Sequence, residues 1–331
     1  MGACGPQPTG GPQPAGGPAA GLGSLSAAER SARQNAPALL LVRPAHPSSN
    51  AETRASNAFQ GAAPPDAARR ARAEFDGLLA ALAEADIQTW VLDEPAEDPL
   101  PDSVFPNNWF STHPSGELVL YPLLSPLRQR ERRPAFIERI AALAGSREIV
   151  DWSADERAGR CLEGTGSLVL DHLGRRAFAA LSPRTDRALV ERFGARFGYR
   201  PVCFEARHRG APIYHTNVVL ALGAELALLV REVLRDPGVV LAELEASGRR
   251  VLELSAAQME RFAANALEVR TRTGQRRWVL SKSAFEALDA AQRAALSSAG
   301  PPVVAELGTI ELLGGGSARC MLAELWPRQG S

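Results

Sequence analysis

One pattern constrains the fold of this chain more than any single motif: strand, strand, helix, strand, repeated about five times at intervals of roughly 50–55 residues. Short apolar runs bounded by Gly and Pro mark the strands, and Ala-, Arg- and Leu-rich stretches mark the helices. The opening round has a strand over 38–42, a helix over 65–85 and a strand over 89–92. The second has strands over 104–110 and 118–121, a helix over 134–144 and a strand over 149–152. The third has strands over 167–170 and 177–181, a helix over 185–197 and a strand over 201–204. The fourth has strands over 218–222 and 226–230, a helix over 237–246 and a strand over 250–254. The last has strands over 266–270 and 277–281, a helix over 283–295 and a strand over 303–305. A helix in every unit predicts an α/β fold: a five-bladed, pseudo-symmetric β/α-propeller of ββαβ units. A doubly wound sheet would alternate single strands with single helices, and the hairpins argue against it. Residues 1–37 are Gly, Pro, Ala and Gln with few large apolar side chains. Such a stretch cannot bury enough surface to offset its ordering entropy and is expected to be a disordered tail. Residues 38–331 are expected to form a single domain.

Composition narrows the function classes. The 331 residues, 45% of them hydrophobic, can bury a large core. The formal charge is zero, and Lys282 is the only lysine among many arginines. No basic stripe with interleaved aromatics appears, so no nucleic-acid partner is expected. The cysteines Cys4, Cys161, Cys203 and Cys320 lie far apart and form no Cys-x-x-Cys pair. Neither a zinc site nor a disulfide framework is expected, and reduced thiols suit a cytoplasmic protein. The longest apolar run, 218–230, contains Glu225 and is too short to span a bilayer. No charged start and apolar stretch of a signal peptide opens the chain.

The residues able to do chemistry sit at one phase of the rounds. Asn108 lies in Phe105-Pro106-Asn107-Asn108-Trp109, and Glu163 in Leu162-Glu163-Gly164-Thr165-Gly166. His215 and Asn217 lie in Tyr214-His215-Thr216-Asn217, and Cys320 follows Gly314-Gly315-Gly316-Ser317. If the rounds are blades, these positions converge on the axis. A cysteine after a glycine-rich run can be approached by a ligand and by backbone N–H groups, which favours a reactive thiol. Taken alone, Cys320 reads as a small buried hydrophobe, His215 as a structural histidine and Glu163 as a turn residue. Together they suit a nucleophile with an acid/base partner. Cys161 and Cys203 border apolar strands and read as core. His113 precedes a proline in a loop, and His172 sits among polar neighbours that suggest solvent. Arg128 falls in an arginine cluster that reads as a solvated helix start.

The pieces Phe-Pro-Asn-Asn-Trp-Phe, Leu-Glu-Gly-Thr-Gly-Ser, Leu-Ser-Pro-Arg-Thr-Asp, His-Thr-Asn and Gly-Gly-Gly-Ser-Ala-Arg-Cys resemble the guanidino-group-modifying superfamily, over about residues 39–325. That superfamily, on the pentein fold, includes arginine deiminases, dimethylarginine hydrolases, succinylarginine dihydrolases and amidinotransferases. The chain looks most similar to its citrulline-utilisation hydrolases. The resemblance implies Cys320 as nucleophile, His215 as general acid/base and Glu163 as the carboxylate on the substrate's nitrogens. It implies Arg184, and less directly Arg128, as grips on the substrate's α-carboxylate, a bidentate task suited to guanidinium. A small amino-acid substrate is the expected partner, no metal or organic cofactor is implied, and a homo-oligomer is compatible with the sequence.

Two positions depart from the deiminase pattern. Asn108 and Asn217 stand where deiminases carry aspartates, which neutralise a guanidinium that has donors only. An amide is uncharged and offers both a donor and an acceptor, so it matches a neutral ureido group. Burying a guanidinium without a counter-charge is costly. These amides point to L-citrulline, cleaved to ornithine, ammonia and carbon dioxide through a covalent Cys320 intermediate. Succinylarginine dihydrolases also have an Asn at the first position yet accept a guanidinium, which keeps an arginine deiminase or dihydrolase activity open. The same motifs also leave room for an amidinotransferase, or for a pentein that binds without catalysing. Asn108→Asp combined with Asn217→Asp should shift preference from citrulline toward arginine, read as the ratio of ammonia release from the two.

Overall fold

The structure, a computed structural model, describes residues 25–54, 57 and 59–327. Among them are five three-stranded sheets and one short hairpin. The first sheet centres on Ala38–Arg43, with Thr89–Asp93 parallel on one side and Ala323–Leu325 antiparallel on the other. The second orders Phe110–Thr112, Glu117–Leu120 and Glu148–Asp151, and the third Val169–Asp171, Arg176–Ala180 and Arg200–Phe204. The fourth orders Leu220–Leu222, Leu226–Leu229 and Arg250–Glu253, and the fifth Leu267–Arg270, Arg276–Ser281 and Pro302–Ala305.

All five are built alike. A central strand pairs antiparallel with one neighbour and parallel with the other. A parallel pair needs a crossover, and a helix supplies it each time. The crossover helices are Ala67–Glu84, Pro134–Ala144, Arg187–Phe197, Pro237–Ala246 and, in the fifth round, Ala290–Ala299. Asp186 and Asp289 cap two of them by accepting from the N–H groups of Leu189 and Gln292.

The core follows from period-two alternation along strands that are apolar on both faces. Leu39 and Leu41 pack with Val279 and Val303 of the fifth sheet, whereas Leu40 and Val42 pack with Phe110 and Leu118 of the second. Val119 turns the other way, toward Leu170 and Ala177 of the third. Val169 and Phe178 share a cluster with Leu220 and Leu228 of the fourth sheet and Trp278 of the fifth. Each sheet therefore packs on its neighbours in chain order, and the fifth packs on the first.

The structure departs from the sequence reading in several places. The strand expected over 104–110 is a 3-10 turn, Pro106–Asn108, followed by a short strand. Pro106 has no N–H for a ladder, and Pro is favoured where a helical turn begins. The start of the expected 167–170 strand lies in a helical turn, Gly164–Ser167. The helix expected over 283–295 is two, Lys282–Ala287 and Ala290–Ala299, broken where Asp289 starts the second. Within the expected tail, residues 1–24 lie outside the described residues, but Ala27–Gln34 is a helix. Ser26 and Glu29 close a capping box at its start, and Gln34 donates to the Leu170 carbonyl. Polar anchoring, not apolar burial, orders this segment, so its composition gave no sign of it.

His172 differs from expectation, being half-buried instead of solvent-facing, and His113, in its loop before Pro114, is buried. His113 shares a hydrogen bond with Ser111 and stacks on Phe197, and His172 bonds the Tyr199 hydroxyl at 2.6 Å. Burial pushes their imidazoles down, to about 4 for His113 and about 3 for His172. An imidazole with a depressed folded-state pKa contributes stability above its unfolded value of 6.5 and loses it as pH falls toward the folded value. His172→Gln should therefore shrink the loss of unfolding free energy between pH 6.5 and 4, measured by urea titration across that range.

Candidate active site

Short turns ahead of the outer, antiparallel strand of each sheet carry the candidate side chains. Asn108 ends the turn Pro106–Asn108, Glu163 precedes the turn Gly164–Ser167, and Asn217 sits in Thr216–Val218 just after His215. Cys320 lies in the turn Ala318–Met321, which leads into Ala323–Leu325. The turn Gly164–Ser167 fits against its neighbours because of its glycines. Gly164 has φ +47°, and a Cβ there would fall 2.3 Å from the Asn107 carbonyl. A Cβ on Gly166 would lie 2.5 Å from Asn108 Nδ2 and 2.7 Å from His215 Nδ1. The Leu-Glu-Gly-Thr-Gly motif is thus a contact surface for two other candidate side chains.

All seven sequence-predicted residues come together. Asn108, Arg128, Arg184, His215 and Cys320 line one narrow cleft of about 10 Å³, with Asp102 and Tyr214 among its other walls. That is space for about one water molecule. Glu163 and Asn217 reach the same cleft through their partners: Glu163 Oε2 lies 2.7 Å from His215 Nε2, and Asn217 Nδ2 lies 3.6 Å from Cys320 Sγ. Beyond Arg184 and Tyr214, which border both spaces, lies a cavity of about 550 Å³ with Phe59, Ile213 and Phe262 in its walls.

Glu163 is buried, and burial alone would raise its pKa. Arg184 at 3.5 Å, the His215 hydrogen bond and Arg128 at 3.9 Å outweigh this and hold it well below the usual carboxylate range. Its other oxygen accepts from the Leu124 N–H at 3.1 Å. For His215, burial outweighs the pull of Glu163, and Arg184 and Arg128 add to it, so its pKa drops to about 4. The imidazole is neutral at pH 7. Burial pushes the Cys320 thiol up, and hydrogen bonds from Asn265, the Ser317 backbone and Asn217, with the charge of Arg319, act against that shift.

Arg128 is not on a solvated helix start. It is buried, with Nε and Nη2 on the two Glu131 oxygens at 2.9 and 3.0 Å, Nη2 also on the Phe105 carbonyl, and Nη1 on Asn108 Oδ1 at 2.6 Å. Four of its five N–H groups are thereby engaged. Arg184 lies with its guanidinium carbon 5.1 Å from the Tyr214 ring centre and donates to the Thr53 carbonyl. The Tyr214 hydroxyl donates in turn to the Gly315 carbonyl, ahead of Cys320.

Sequence reasoning missed Asn265, Tyr214, Asp102 and Glu131. Asn265 donates to Cys320 Sγ at 3.3 Å. It precedes Leu267–Arg270 as Asn108 precedes Phe110–Thr112, so the repeat phase could have found it. Asp102 and Glu131 carry no such mark, because they act on Arg128 from outside the repeat.

The family model for N,N dimethylarginine dimethylhydrolase, eukaryotic, matches residues 43–327. No curated protein matches. Among solved structures, the N-terminal domain of ArgZ bound to substrate, an arginine dihydrolase from the ornithine-ammonia cycle in cyanobacteria, superimposes with a TM-score of 0.68. Identity is 15%, over 88% of this chain and 98% of that one. AgrE in complex with ornithine and NAD+ gives 0.69 at 17% identity, over 89% of this chain and 40% of that one. A dimethylarginine dimethylaminohydrolase adduct with 4-chloro-2-hydroxymethylpyridine gives 0.61 at 15%, over 87% of this chain and 99% of that one. This chain spans about 40% of the length of the longer ArgZ and AgrE chains. With its mixed α/β fold of small sheets shared with these structures and its match over 43–327, the chain belongs to the N,N dimethylarginine dimethylhydrolase family, within the pentein guanidino-group-modifying superfamily.

Proposed function

We propose that this chain is a cysteine-dependent hydrolase of carbon–nitrogen bonds in the guanidino or ureido end of an arginine-like amino acid. The single observation that carries this reading is the meeting of Cys320, His215 and the Glu163-anchored arginine Arg184 around one cleft. The scaffold is a five-bladed β/α-propeller, a reading supported by five sheets of one build. The catalytic domain is read over 38–331, with the helix Ala27–Gln34 anchored on it. Its cytoplasmic home is supported by the free thiols of Cys161, Cys203 and Cys320.

In the reaction, Cys320 Sγ attacks the planar carbon while its proton passes to the neutral His215. The imidazole then protonates the departing amine, and the carbon–nitrogen bond breaks. Water, deprotonated by His215, attacks the carbonyl of the S-carbamoyl enzyme, restores the thiol and leaves a carbamate, which is protonated on nitrogen and loses carbon dioxide to free the second amine. With citrulline and one water the products are ornithine, ammonia and carbon dioxide. Glu163 holds the imidazole through Nε2 and faces the substrate's nitrogens. Arg184 grips the α-carboxylate. Arg128, mostly engaged by Glu131 and Asn108, acts chiefly by orienting the Asn108 amide. Substrate approaches from the larger cavity past Arg184 and Tyr214.

The finer reading is a neutral ureido substrate. The groups bonded to the sulfur are amides, and Glu163 already faces two guanidiniums. A second reading, arginine or a methylated derivative, is supported by the relatives: ArgZ is an arginine dihydrolase and AgrE was solved with L-arginine. Ammonia release measured across citrulline, arginine and dimethylarginine decides between them. Cys320→Ala should abolish release from whichever substrate is used, a loss on the order of 10³-fold or more. Equal release by the variant sinks the hydrolase reading.

A further inference from the structure

His215 and Cys320 line one cleft, yet no hydrogen bond joins them among the described residues, and the imidazole is neutral at pH 7. The sulfur thus lacks the imidazolium that commonly stabilises a catalytic thiolate. Besides a backbone hydrogen bond from Ser317, its partners include two side-chain amides, Asn217 Nδ2 at 3.6 Å and Asn265 Nδ2 at 3.3 Å.

Each amide is oriented by a backbone carbonyl. Asn265 Nδ2 also donates to the Asn217 carbonyl at 3.1 Å, and Asn217 Nδ2 to the Thr165 carbonyl at 3.4 Å. A carbonyl oxygen only accepts, so it draws the NH₂ end of each amide toward itself. An NH₂ group has two hydrogens. One goes to the carbonyl and the other is left for the sulfur. The flipped orientation of Asn265 would set two acceptors against each other in a buried site, a costly arrangement. Asn265 Oδ1, buried and without a partner among the described residues, sits on the far side of that choice.

We infer that Asn265 is a specific stabiliser of the Cys320 thiolate, its amide locked by the Asn217 carbonyl so that one N–H always faces the sulfur. This assignment rests on the hydrolase reading for its role in turnover, but not for its test. As the proton leaves Sγ, the charge forms against two donors already in place, with no reorganisation. Asn217 contributes the second, longer bond, so the two asparagines act as a pair from the fourth and fifth sheets.

The test is titration of the Cys320 thiol in the full chain, by thiolate ultraviolet absorbance and by the pH dependence of iodoacetamide alkylation, with Cys320→Ala as blank. Asn265→Ala removes the donor. Asn265→Ser keeps a single hydroxyl hydrogen, which the Asn217 carbonyl claims, and serves if the alanine variant does not fold. Either folded variant should raise the midpoint by about one pH unit, slowing alkylation at neutral pH roughly tenfold. Catalytic rate lost at neutral pH should return as pH rises. An unchanged midpoint in a folded variant overturns the assignment. No substrate enters the titration, so a chain that releases no ammonia yet shows the shift loses only the hydrolase reading.

Discussion

One desolvated carboxylate sets the polar balance of the cleft. Glu163 meets an imidazole and two guanidiniums on one oxygen, Oε2, while a backbone N–H holds the other. Burial pushes the neighbouring carboxyls of Asp102 and Glu131 up, to about 7 for Glu131. Glu163 goes down, because three cationic or donor groups face it at once. Removing one partner of such a buried set leaves the others without compensation and is strongly destabilising. The same carboxylate pulls its imidazole toward the charged form, but burial outweighs that pull and His215 rests neutral.

Much of this was readable from residue order. The strand–strand–helix–strand round predicted the crossover helices closely, as at 134–144 and 237–246, because both segments open on a proline that suits a helix's first turn. It also placed Asn108, Glu163, His215, Asn217 and Cys320 at one phase, and each stands just ahead of the outer antiparallel strand of a sheet. What stayed hidden were features decided by tertiary contact. Arg128 looks like any arginine in an Arg-rich stretch, and only Glu131, Asp102 and Asn108 closing around it reveal a buried ion cluster. His172 lies in a polar stretch, Asp-His-Leu-Gly-Arg, yet Tyr199 and Trp326 enclose its ring. The strand Ala323–Leu325 is too short for periodicity to show, and its partner lies at the opposite end of the fold's sequence.

That last strand has a kinetic meaning. The pairing of Ala38 with Leu325 spans nearly the whole described chain, the kind of contact whose loop-closure entropy must be met before it is rewarded. Cys320 sits in the turn directly before this strand, so its sulfur gains a defined position only once that longest closure is made. During folding, the four other sheets can form from local hairpins and crossovers while the nucleophile's turn is still untethered. The place of Cys320 in the cleft thus depends on the docking of one three-residue edge strand from the far end of the fold.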